Sequence, residues 1–545
     1  MSRADWLAAA AIFGVALVVR AVFAAQVVFP KPEDTAYYVG VARNLVEGRG
    51  LVSDALWSYA TPPLVFPRPA FEVWLPLPTF LAAIPMALFG PTFQAAQVVS
   101  VLIGAVVPVL AWRLAADVAA ERGLPPGRAR TLALATGLTS AVYLPLVLHS
   151  ALPDSTMPFA AVALGACLLM TRIVRDPRGA RLGDPRLLLL GVLFGLAALT
   201  RNEAAWLGLT WLLVAGTAAA IVPTQRIRLV AVVAVVAMVV FAPWAIRNWI
   251  AFGSPLPGQA VTNAFSVSGF DIFAWKDPPT LARYLAVGPG RLLEMRIDGL
   301  GHNLGNVLIL PGIPISVIGL LAMPWTSRAP AVRPVLVLGL ITFLVTSLVF
   351  PVATTWGTFL HAAGPIHVLI VISALVALDG ALAAVGNRLG WTKDVAWLGA
   401  TMGVASSVLF SVVLLAGFGA GSRDTAALYA ELGSRMASAG HRLDDPGVRL
   451  MSNFPIWTAE TQRVSTLALP DEPPEDVLDL AATFPGTRYL ILTSPESEHW
   501  PVDLQSARPG AECFVPLDLG VHAGSGTDPL ATTTVYAISC PGSTP

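Results

Sequence analysis

The sequence has little charge, no excess of either sign and almost no cysteine. Of 545 residues, 34 are Lys or Arg and 34 are Asp or Glu, so 12% are charged and the formal net charge is zero. Soluble domains have roughly 25% charged residues, which excludes a soluble enzyme and a disordered protein. The zero net charge gives no electrostatic case for a nucleic-acid partner. Three cysteines exclude a disulfide scaffold and a Cys-rich zinc module.

Long apolar stretches are what the sequence has instead, since 55% of its residues are hydrophobic. A transmembrane helix needs about 20 mostly apolar residues, and we count about eleven such spans. The first is interpreted as an uncleaved span rather than a signal peptide, because equally apolar stretches follow it. The predicted spans cover residues 6–29, 94–116, 131–149, 156–174, 187–200, 203–222, 229–246, 303–323, 334–352, 362–384 and 395–418.

Arginines are concentrated in alternate short loops, of which the first contains Arg122, Arg128 and Arg130. Because cationic loops stay on the cytoplasmic side, this pattern predicts a cytoplasmic N-terminus. The longer segments, 30–93, 247–302 and everything after residue 418, then face outward. We therefore expect a multi-pass protein of the plasma (inner) membrane, with a transmembrane catalytic domain over 1–418.

The first outer segment, 30–93, is predicted to lie along the membrane surface. Residues 34–47 show helical apolar spacing and end at Gly48 and Gly50, which predicts an amphipathic interfacial helix. Residues 71–89 contain three prolines and indicate a re-entrant or juxtamembrane helix rather than a clean span. Counting this piece as a span would break the arginine pattern.

Residues 419–545 change composition toward Asp, Glu, Pro, Ser and Thr, which predicts a soluble extracytoplasmic α/β domain. Helices are predicted at 423–440 and 474–484, and strands at 448–453, 488–493 and 532–539. Cys513 and Cys540 both fall here, and an oxidising compartment favours a disulfide between them over two separate thiols. The domain has no recognisable phosphate loop or metal cluster. This domain could bind an acceptor, cover the cavity of the membrane domain, or dock on it without binding any ligand, and the sequence does not decide among these roles.

The pair Glu33-Asp34 follows the first span directly and is the first candidate for chemistry. Acidic residues at a helix N-terminus cap it and complement its dipole, which is sufficient to explain the pair. The functional alternative is a carboxylate held at the bilayer surface as a general base or a metal ligand.

The order of motifs around this pair resembles the GT-C glycosyltransferases. The likeness is greatest to the branch that contains the protein O-mannosyltransferases and the lipid A aminoarabinose transferases. It rests on outward-facing motifs over roughly the first 250 residues. These are Glu33-Asp34 with Tyr37-Tyr38, Pro67-Arg68-Pro69, Leu199-Thr200-Arg201, Pro243-Trp244 with Arg247-Asn248, and Asp154 at the end of a span. Beyond residue 300 only the hydropathy matches.

The resemblance implies an all-α polytopic fold and a sugar donor carried on a polyprenyl phosphate. It implies that Asp34, helped by Glu33, is catalytic. It makes Arg68 the first candidate to bind the lipid phosphate, although Pro67 replaces the acidic neighbour of that branch. Arg201 and Arg247 are further candidates, with membrane snorkelling or a structural ion pair to Glu203 as the alternative.

The mechanism that follows is an inverting displacement, in which Asp34 takes the proton of an acceptor hydroxyl and polyprenyl phosphate leaves. Further substrate or metal contacts are expected from residues near outer span ends, namely Tyr37, Tyr38, His149, Asp154 and His361. No cofactor is certain. A divalent metal stays open, because some GT-C enzymes use one and this chain has no Asp-x-Asp at the acidic motif.

The competing hypothesis is a transporter or flippase of lipid-linked saccharides. Transporters usually contain two matched halves with broken helices, and the sequence has no such repeat. A membrane receptor is a third possibility, but a receptor needs no reactive first loop. The sequence leaves open the sugar, the polyprenol length, the oligomeric state and the acceptor, which is a protein, a lipid or a cell-wall glycan.

Overall fold

The computed structural model describes residues 2–176, 184–218, 221–391, 395–443, 445, 447–493, 500–504, 508–520 and 528–540, and most of them are helical. The first ten helices are α1 (Arg3–Ala24), α2 (Glu33–Val46), α3 (Leu77–Phe89), α4 (Phe93–Glu121), α5 (Pro126–Val142), α6 (Leu144–Leu148), α7 (Thr156–Arg175), α8 (Pro185–Ala198), α9 (Ala204–Gly216) and α10 (Pro223–Phe252). The others are α11 (Gln259–Thr262), α12 (Leu281–Ala286), α13 (Gly288–His302), α14 (Ile315–Thr326), α15 (Arg333–Leu348), α16 (Thr358–Ala362), α17 (Gly364–Arg388), α18 (Ala396–Ser438), α19 (Pro455–Gln462), α20 (Pro474–Thr483) and α21 (Trp500–Asp503).

Seven helices in the described part of the chain are long and apolar enough to cross a membrane. The number rises to nine if each of two bent helix pairs forms one span. The chain is therefore a multi-span membrane protein. Helices α8 and α9 fall in the predicted spans 187–200 and 203–222, but their 14 and 13 residues are fewer than the roughly 20 that a bilayer requires. The count of eleven spans stays a prediction.

Two of the predicted spans are bent. Residues 131–149 form α5 and a second helical piece at 57° to it, and the stretch 303–323 lies across a turn of 115° before α14. Prolines account for both bends, since Pro145 opens α6 and Pro311 and Pro314 precede α14. A proline ring lacks the backbone N–H that would continue the preceding helix.

A buried arginine stabilises the first of these bends. Arg20 of α1 has no exposed surface and donates hydrogen bonds to the carbonyl oxygens of Ala141 (2.9 Å) and Ser140 (3.4 Å) at the end of α5. Its Nε also donates to Ser150 Oγ at 2.9 Å. The helix break leaves these carbonyls without intrahelical partners, and Arg20 supplies them. A cation is favourable at this position because the C-terminal end of a helix dipole is negative.

The helices predicted at 34–47 and 71–89 of the first loop are present as α2 and α3, the second of which begins at Leu77. Helix α2 begins with two acidic residues, which complement its dipole, and residues 35–39, including Tyr37 and Tyr38, are all buried. Between α2 and α3 lie three two-residue strands, β1 (Val52–Ser53), β2 (Ala55–Leu56) and β3 (Arg68–Pro69). Strands β1 and β3 pair with each other, whereas β2 joins the strands after residue 448.

The C-terminal strands form one six-stranded sheet with this piece of the first loop. They are β4 (Arg449–Ser452), β5 (Thr466–Ala468), β6 (Thr487–Leu492), β7 (Phe514–Pro516) and β8 (Thr534–Ile538). The order is β2-β5-β4-β6-β8-β7, in which β2, β5, β4 and β6 run parallel and β8 and β7 are antiparallel to their neighbours. The strands predicted at 448–453, 488–493 and 532–539 and the helix predicted at 474–484 are confirmed, and Cys513 and Cys540 form a disulfide bond.

The predicted division at residue 418 is not marked by a break in structure. Helix α18 runs for 43 residues across it, so the last apolar stretch and the helix predicted at 423–440 are continuous. One buried cluster also combines Tyr37 and Trp57 of the first loop with Tyr429, Trp457 and Ile491. The C-terminal segment thus packs directly against the loop that contains Asp34.

Candidate active site

Asp34 and His361 meet at one end of the helical bundle. Asp34 lies in the first turn of α2, and His361 lies near the end of the short helix α16. The distance from His361 Nε2 to Asp34 Oδ2 is 3.3 Å, and the imidazole is buried while the Asp34 side chain is 25% exposed. The arrangement leaves the Asp34 carboxylate accessible and positions it through a buried ring.

Asp154 lies behind His361 and is completely buried. Its Oδ2 lies 3.9 Å from His361 Nδ1 and 4.0 Å from His149 Nδ1, and its Oδ1 accepts a hydrogen bond from the N–H of Thr156 at 2.7 Å. Burial raises the pKa of Asp154, but the two imidazoles and the Thr156 N–H outweigh it, so the pKa lies below its ordinary value. Asp154 is therefore a fixed negative charge beside two histidines.

The same three side chains are arranged to hold a metal ion. One donor atom each from His149, Asp154 and His361 lies within 4.8 Å of the others. In the described residues, His149 Nδ1 and Asp154 Oδ2 are buried and have no hydrogen-bond partner. Two imidazoles and a carboxylate suit a divalent ion such as Zn²⁺. His361 Nδ1 also lies 2.7 Å from Thr156 Oγ1, so a metal would compete with that hydroxyl.

Tyr38 and Arg201 extend the cluster toward the short loop between α8 and α9. Burial raises the pKa of Tyr38. The charge of Arg201 lowers this pKa, whereas the charges of Asp34 and Asp154 raise it further. Arg201 donates to Ser155 Oγ at 2.7 Å and to the Thr358 carbonyl at 3.2 Å. The four predicted residues Asp34, Tyr38, Asp154 and Arg201 are therefore brought into one site.

The structural alternative for Arg201 is also observed. Its Nε and Nη2 donate to the two carboxylate oxygens of Glu203, both at 2.9 Å. Burial lowers the pKa of Arg201, but Glu203, Tyr38 and Asp34 outweigh it and keep the guanidinium charged. Its side chain remains 11% exposed. Arg201 is thus a fixed cation at the edge of the site.

Arg68, the first candidate to bind the lipid phosphate, is buried within the first loop. Its side chain has no exposed surface, and its two Nη atoms donate to the carbonyl oxygens of Ser58 and Thr61. Glu72 Oε1 lies 3.5 Å from Arg68 Nη1 and balances the charge. In this conformation the guanidinium holds the first loop together and has no surface to offer a lipid phosphate.

Arg247 and Tyr37 also hold the first loop. Arg247 Nη1 donates to the Ala70 carbonyl at 2.7 Å, and the guanidinium lies over the ring of Trp244 at 4.9 Å. Tyr37 is buried, and its hydroxyl accepts a hydrogen bond from the N–H of Phe71 at 2.7 Å. Both residues have structural partners, but Arg247 is only half-buried.

The carboxylate of Glu33 contacts the C-terminal segment, whereas that of Asp34 contacts His361. Glu33 Oε1 accepts hydrogen bonds from the N–H groups of Ile456 (2.9 Å) and Trp457 (3.3 Å), at the start of α19. Glu33 thus caps α19, a helix far away in the sequence, whereas the structural alternative for the pair was a cap of its own helix. Sequence reasoning also missed Ser155 and Thr156, whose only signal was their position next to Asp154.

Comparison with known proteins gives a sequence match and a fold match. The family model described as dolichyl-phosphate-mannose-protein mannosyltransferase matches residues 68–247. Among curated proteins, none matches the chain in sequence. The crystal structure of ArnT from Cupriavidus metallidurans bound to undecaprenyl phosphate matches with a TM-score of 0.58 at 14% identity, covering 100% of both chains.

Two structures of an oligosaccharyltransferase from Archaeoglobus fulgidus match less well. AglB in complex with an inhibitory peptide and a dolichol-phosphate has a TM-score of 0.51 at 14% identity, covering 97% of this chain and 74% of that one. The form tethered to an acceptor peptide by a disulfide bond has the same TM-score and coverage at 16% identity. The predicted resemblance to the GT-C glycosyltransferases is therefore confirmed.

Proposed function

Starting from this GT-C resemblance, we propose that the chain is a membrane glycosyltransferase that moves a sugar from a polyprenyl-phosphate donor to an acceptor hydroxyl. The observation that carries the proposal is the pairing of the accessible Asp34 carboxylate with buried His361, beside the cation Arg201. A general base and a phosphate-binding cation are the two groups that such a transfer requires. The matched structures with bound undecaprenyl phosphate and dolichol-phosphate support a lipid donor.

The proposed reaction is a single displacement with inversion at the anomeric carbon. Asp34 removes the proton of the acceptor hydroxyl while the acceptor oxygen forms a bond to the anomeric carbon. The bond from the carbon to the phosphate oxygen breaks, and polyprenyl phosphate leaves with the electron pair. His361 orients the Asp34 carboxylate through the 3.3 Å contact.

The leaving phosphate is assigned to Arg201, with Arg247 as the second candidate. Both side chains are partly exposed, whereas the side chain of Arg68 is fully buried and bound to backbone carbonyls. An arginine stabilises a phosphate best through two parallel hydrogen bonds. Arg201 would have to exchange part of its contact with Glu203 for the phosphate.

A divalent ion, if the enzyme uses one, would be held by His149, Asp154 and His361. Such an ion would supply positive charge near the reacting groups as a Lewis acid. The site faces outward in the proposed orientation, with the N-terminus in the cytoplasm and the C-terminal segment outside.

The test is to reconstitute the purified protein in liposomes with a polyprenyl-phosphate sugar radiolabelled in the sugar. A transferase releases free polyprenyl phosphate and moves the label to an acceptor, and Asp34→Asn should lower this rate by about 10²–10⁴-fold. A flippase would move the intact labelled lipid between leaflets without breaking the glycosidic bond. Native-rate transfer by Asp34→Asn would reject the assigned base.

A further inference from the structure

Glu33 and Asp34 are consecutive residues whose carboxylates face different parts of the molecule. Asp34 Oδ2 lies 3.3 Å from His361 Nε2 in the candidate site. Glu33 Oε1 accepts two hydrogen bonds from the backbone at the start of α19, in the C-terminal segment. The first turn of α2 is thus attached both to α16 and to α19.

Glu33 binds at the carboxyl end of the parallel strands, because α19 follows β4 directly. Ligands bind at this end of the sheet in open parallel α/β folds. Strand β5 lies on one side of β4 and β6 on the other, so the strand order reverses at β4. Crevices at such a switch point, outside the carboxyl ends of the strands, attract anions to the following helix N-terminus. Here that helix is α19, and the anion is the carboxylate of Glu33.

Other contacts hold the chain that leads into Glu33 to the same C-terminal segment. Trp457 Nε1 donates to the Pro30 carbonyl at 3.0 Å. Ser422 Oγ accepts hydrogen bonds from the N–H groups of Val28 (3.0 Å) and Phe29 (2.9 Å). The Phe29 ring stacks on Tyr429 with centroids 5.7 Å apart. Residues 28–33 are therefore fixed by α18 and α19.

The start of α2 has no side-chain N-cap. Its N-cap is Pro32, which makes no side-chain capping hydrogen bond. A helix end without a cap frays, so its position depends on tertiary contacts. The contact of Glu33 with α19 fixes the first helical residue, and the second helical residue is Asp34.

We propose that Glu33 is a positioning residue that sets the placement of Asp34 by anchoring the first turn of α2 on the N-terminus of α19. The inference rests on the proposed function, in which Asp34 is the base. It assigns the C-terminal segment a part in catalysis without contact with the substrate. Misplacing a reacting group by about 1 Å lowers a rate by up to about 10²-fold, which sets the size of the effect.

The experiment compares Glu33→Gln and Glu33→Ala in full-length protein, with sugar transfer from the polyprenyl-phosphate donor as the readout. Gln keeps the length and a carbonyl acceptor for the α19 N–H groups, whereas Ala removes both. We expect kcat to fall about tenfold or more in Glu33→Ala and less in Glu33→Gln, with the KM for the donor unchanged in both. A residue acting as base or metal ligand would instead lose as much activity with Gln as with Ala.

The control variant is Glu47→Ala, which removes the contact of Glu47 with Arg463 Nη2 at 2.8 Å. This pair joins the other end of α2 to the residue that follows α19, so it tests the same interface away from Asp34. We expect Glu47→Ala to keep the native kcat. Equal losses of kcat in Glu47→Ala and Glu33→Ala would mean that interface stability alone matters and would overturn the proposal.

Two results separate this inference from the proposed function. Native kcat in Glu33→Ala, together with an inactive Asp34→Asn, would overturn the positioning role and leave the function standing. An active Asp34→Asn would reject the function itself. If Glu33→Ala does not fold, Glu33→Asp replaces it as the test, because it keeps a carboxylate but draws it one methylene away from the N–H groups of Ile456 and Trp457. We then expect a lower kcat at unchanged KM, and a native kcat would overturn the proposal.

Discussion

The Nε2 atom of His361 lies 3.3 Å from Asp34 Oδ2, although one residue belongs to the first loop and the other to a short helix before α17. The other ring nitrogen, Nδ1, is 2.7 Å from Thr156 Oγ1. The ring is therefore oriented from both sides. His361 links the accessible carboxylate to the buried charge of Asp154 behind it.

His361→Ala is predicted to lower kcat by up to about 10²-fold, because Asp34 loses the group that orients it. The KM for the lipid donor should stay close to native, since Arg201 remains in place. Steady-state kinetics with a polyprenyl-phosphate sugar will measure both. Thr156→Val serves as the matched control, because it removes only the hydroxyl beside Nδ1 and should lower kcat less. A native kcat in His361→Ala would contradict this role.

Arg201 and Arg68 are predicted to respond differently to substitution by glutamine. Arg201→Gln should weaken binding of polyprenyl phosphate about tenfold or more, because a charge-assisted hydrogen bond contributes about 1.5–3 kcal/mol. Arg68→Gln should instead lower thermal stability, because it leaves Glu72 as a buried charge without its cation. Direct lipid-binding and melting measurements on both variants distinguish the two effects.

The control for Arg201 is the double variant Arg201→Gln/Glu203→Gln. Glu203 is buried and accepts both hydrogen bonds of the pair, so the single variant also leaves a carboxylate without its partner. If phosphate binding depends on Arg201, the double variant should restore stability but not lipid affinity. Recovery of lipid affinity in the double variant would show that Arg201 has a structural role only.

A divalent ion is predicted to stabilise the protein through His149, Asp154 and His361. Binding to the folded state alone adds about 2.7 kcal/mol when the ion is present at a hundred times its Kd. Metal-stripped protein should therefore melt at a higher temperature when Zn²⁺ is added, and His149→Phe should lose this response. His302→Gln is the matched histidine control, since His302 lies outside the cluster. An unchanged melting temperature in the wild type would exclude the site.

Helices and strands with a strong local pattern could be predicted from the sequence. The interfacial helix was expected at 34–47 and is Glu33–Val46, and the last strand was expected at 532–539 and is Thr534–Ile538. Periodicity, prolines and glycines determine such elements over a few residues. Apolar length, in contrast, does not reveal bends such as those in the stretches 131–149 and 303–323, which were counted only as spans.

Contacts between distant segments could not be predicted from a single sequence. Strand β2 contains two residues and has no pattern of its own, yet it extends the C-terminal sheet. The burial of Arg68 had no local signal, because an arginine before a proline is usual in an exposed loop as well. The partner of Glu33 lies more than 400 residues away, so only the fold reveals that this carboxylate binds α19.

Glu460 predicts a pH dependence at the interface between α2 and α19. Its carboxylate pairs with Arg43, and a Cβ at residue 40 would lie 2.9 Å from Glu460 Oε2, so Gly40 permits the close approach. Burial, opposed by Arg43, raises the pKa of Glu460 from 4.5 to about 7. The folded state thus binds this proton more tightly than the unfolded state, and stability present below pH 4.5 is lost as the pH rises through 7.

The loss amounts to about 3 kcal/mol across this window, at about 1.4 kcal/mol per pH unit. Melting temperatures of the detergent-solubilised protein should therefore fall between pH 5 and pH 8. Glu460→Gln has no proton to release, so its curve should be flatter over the same range. Glu431→Gln, which replaces an exposed carboxylate of α18, should keep the native slope. Equal slopes in the wild type and Glu460→Gln would assign the pH dependence to other groups, because residue 460 would then contribute no differential proton binding.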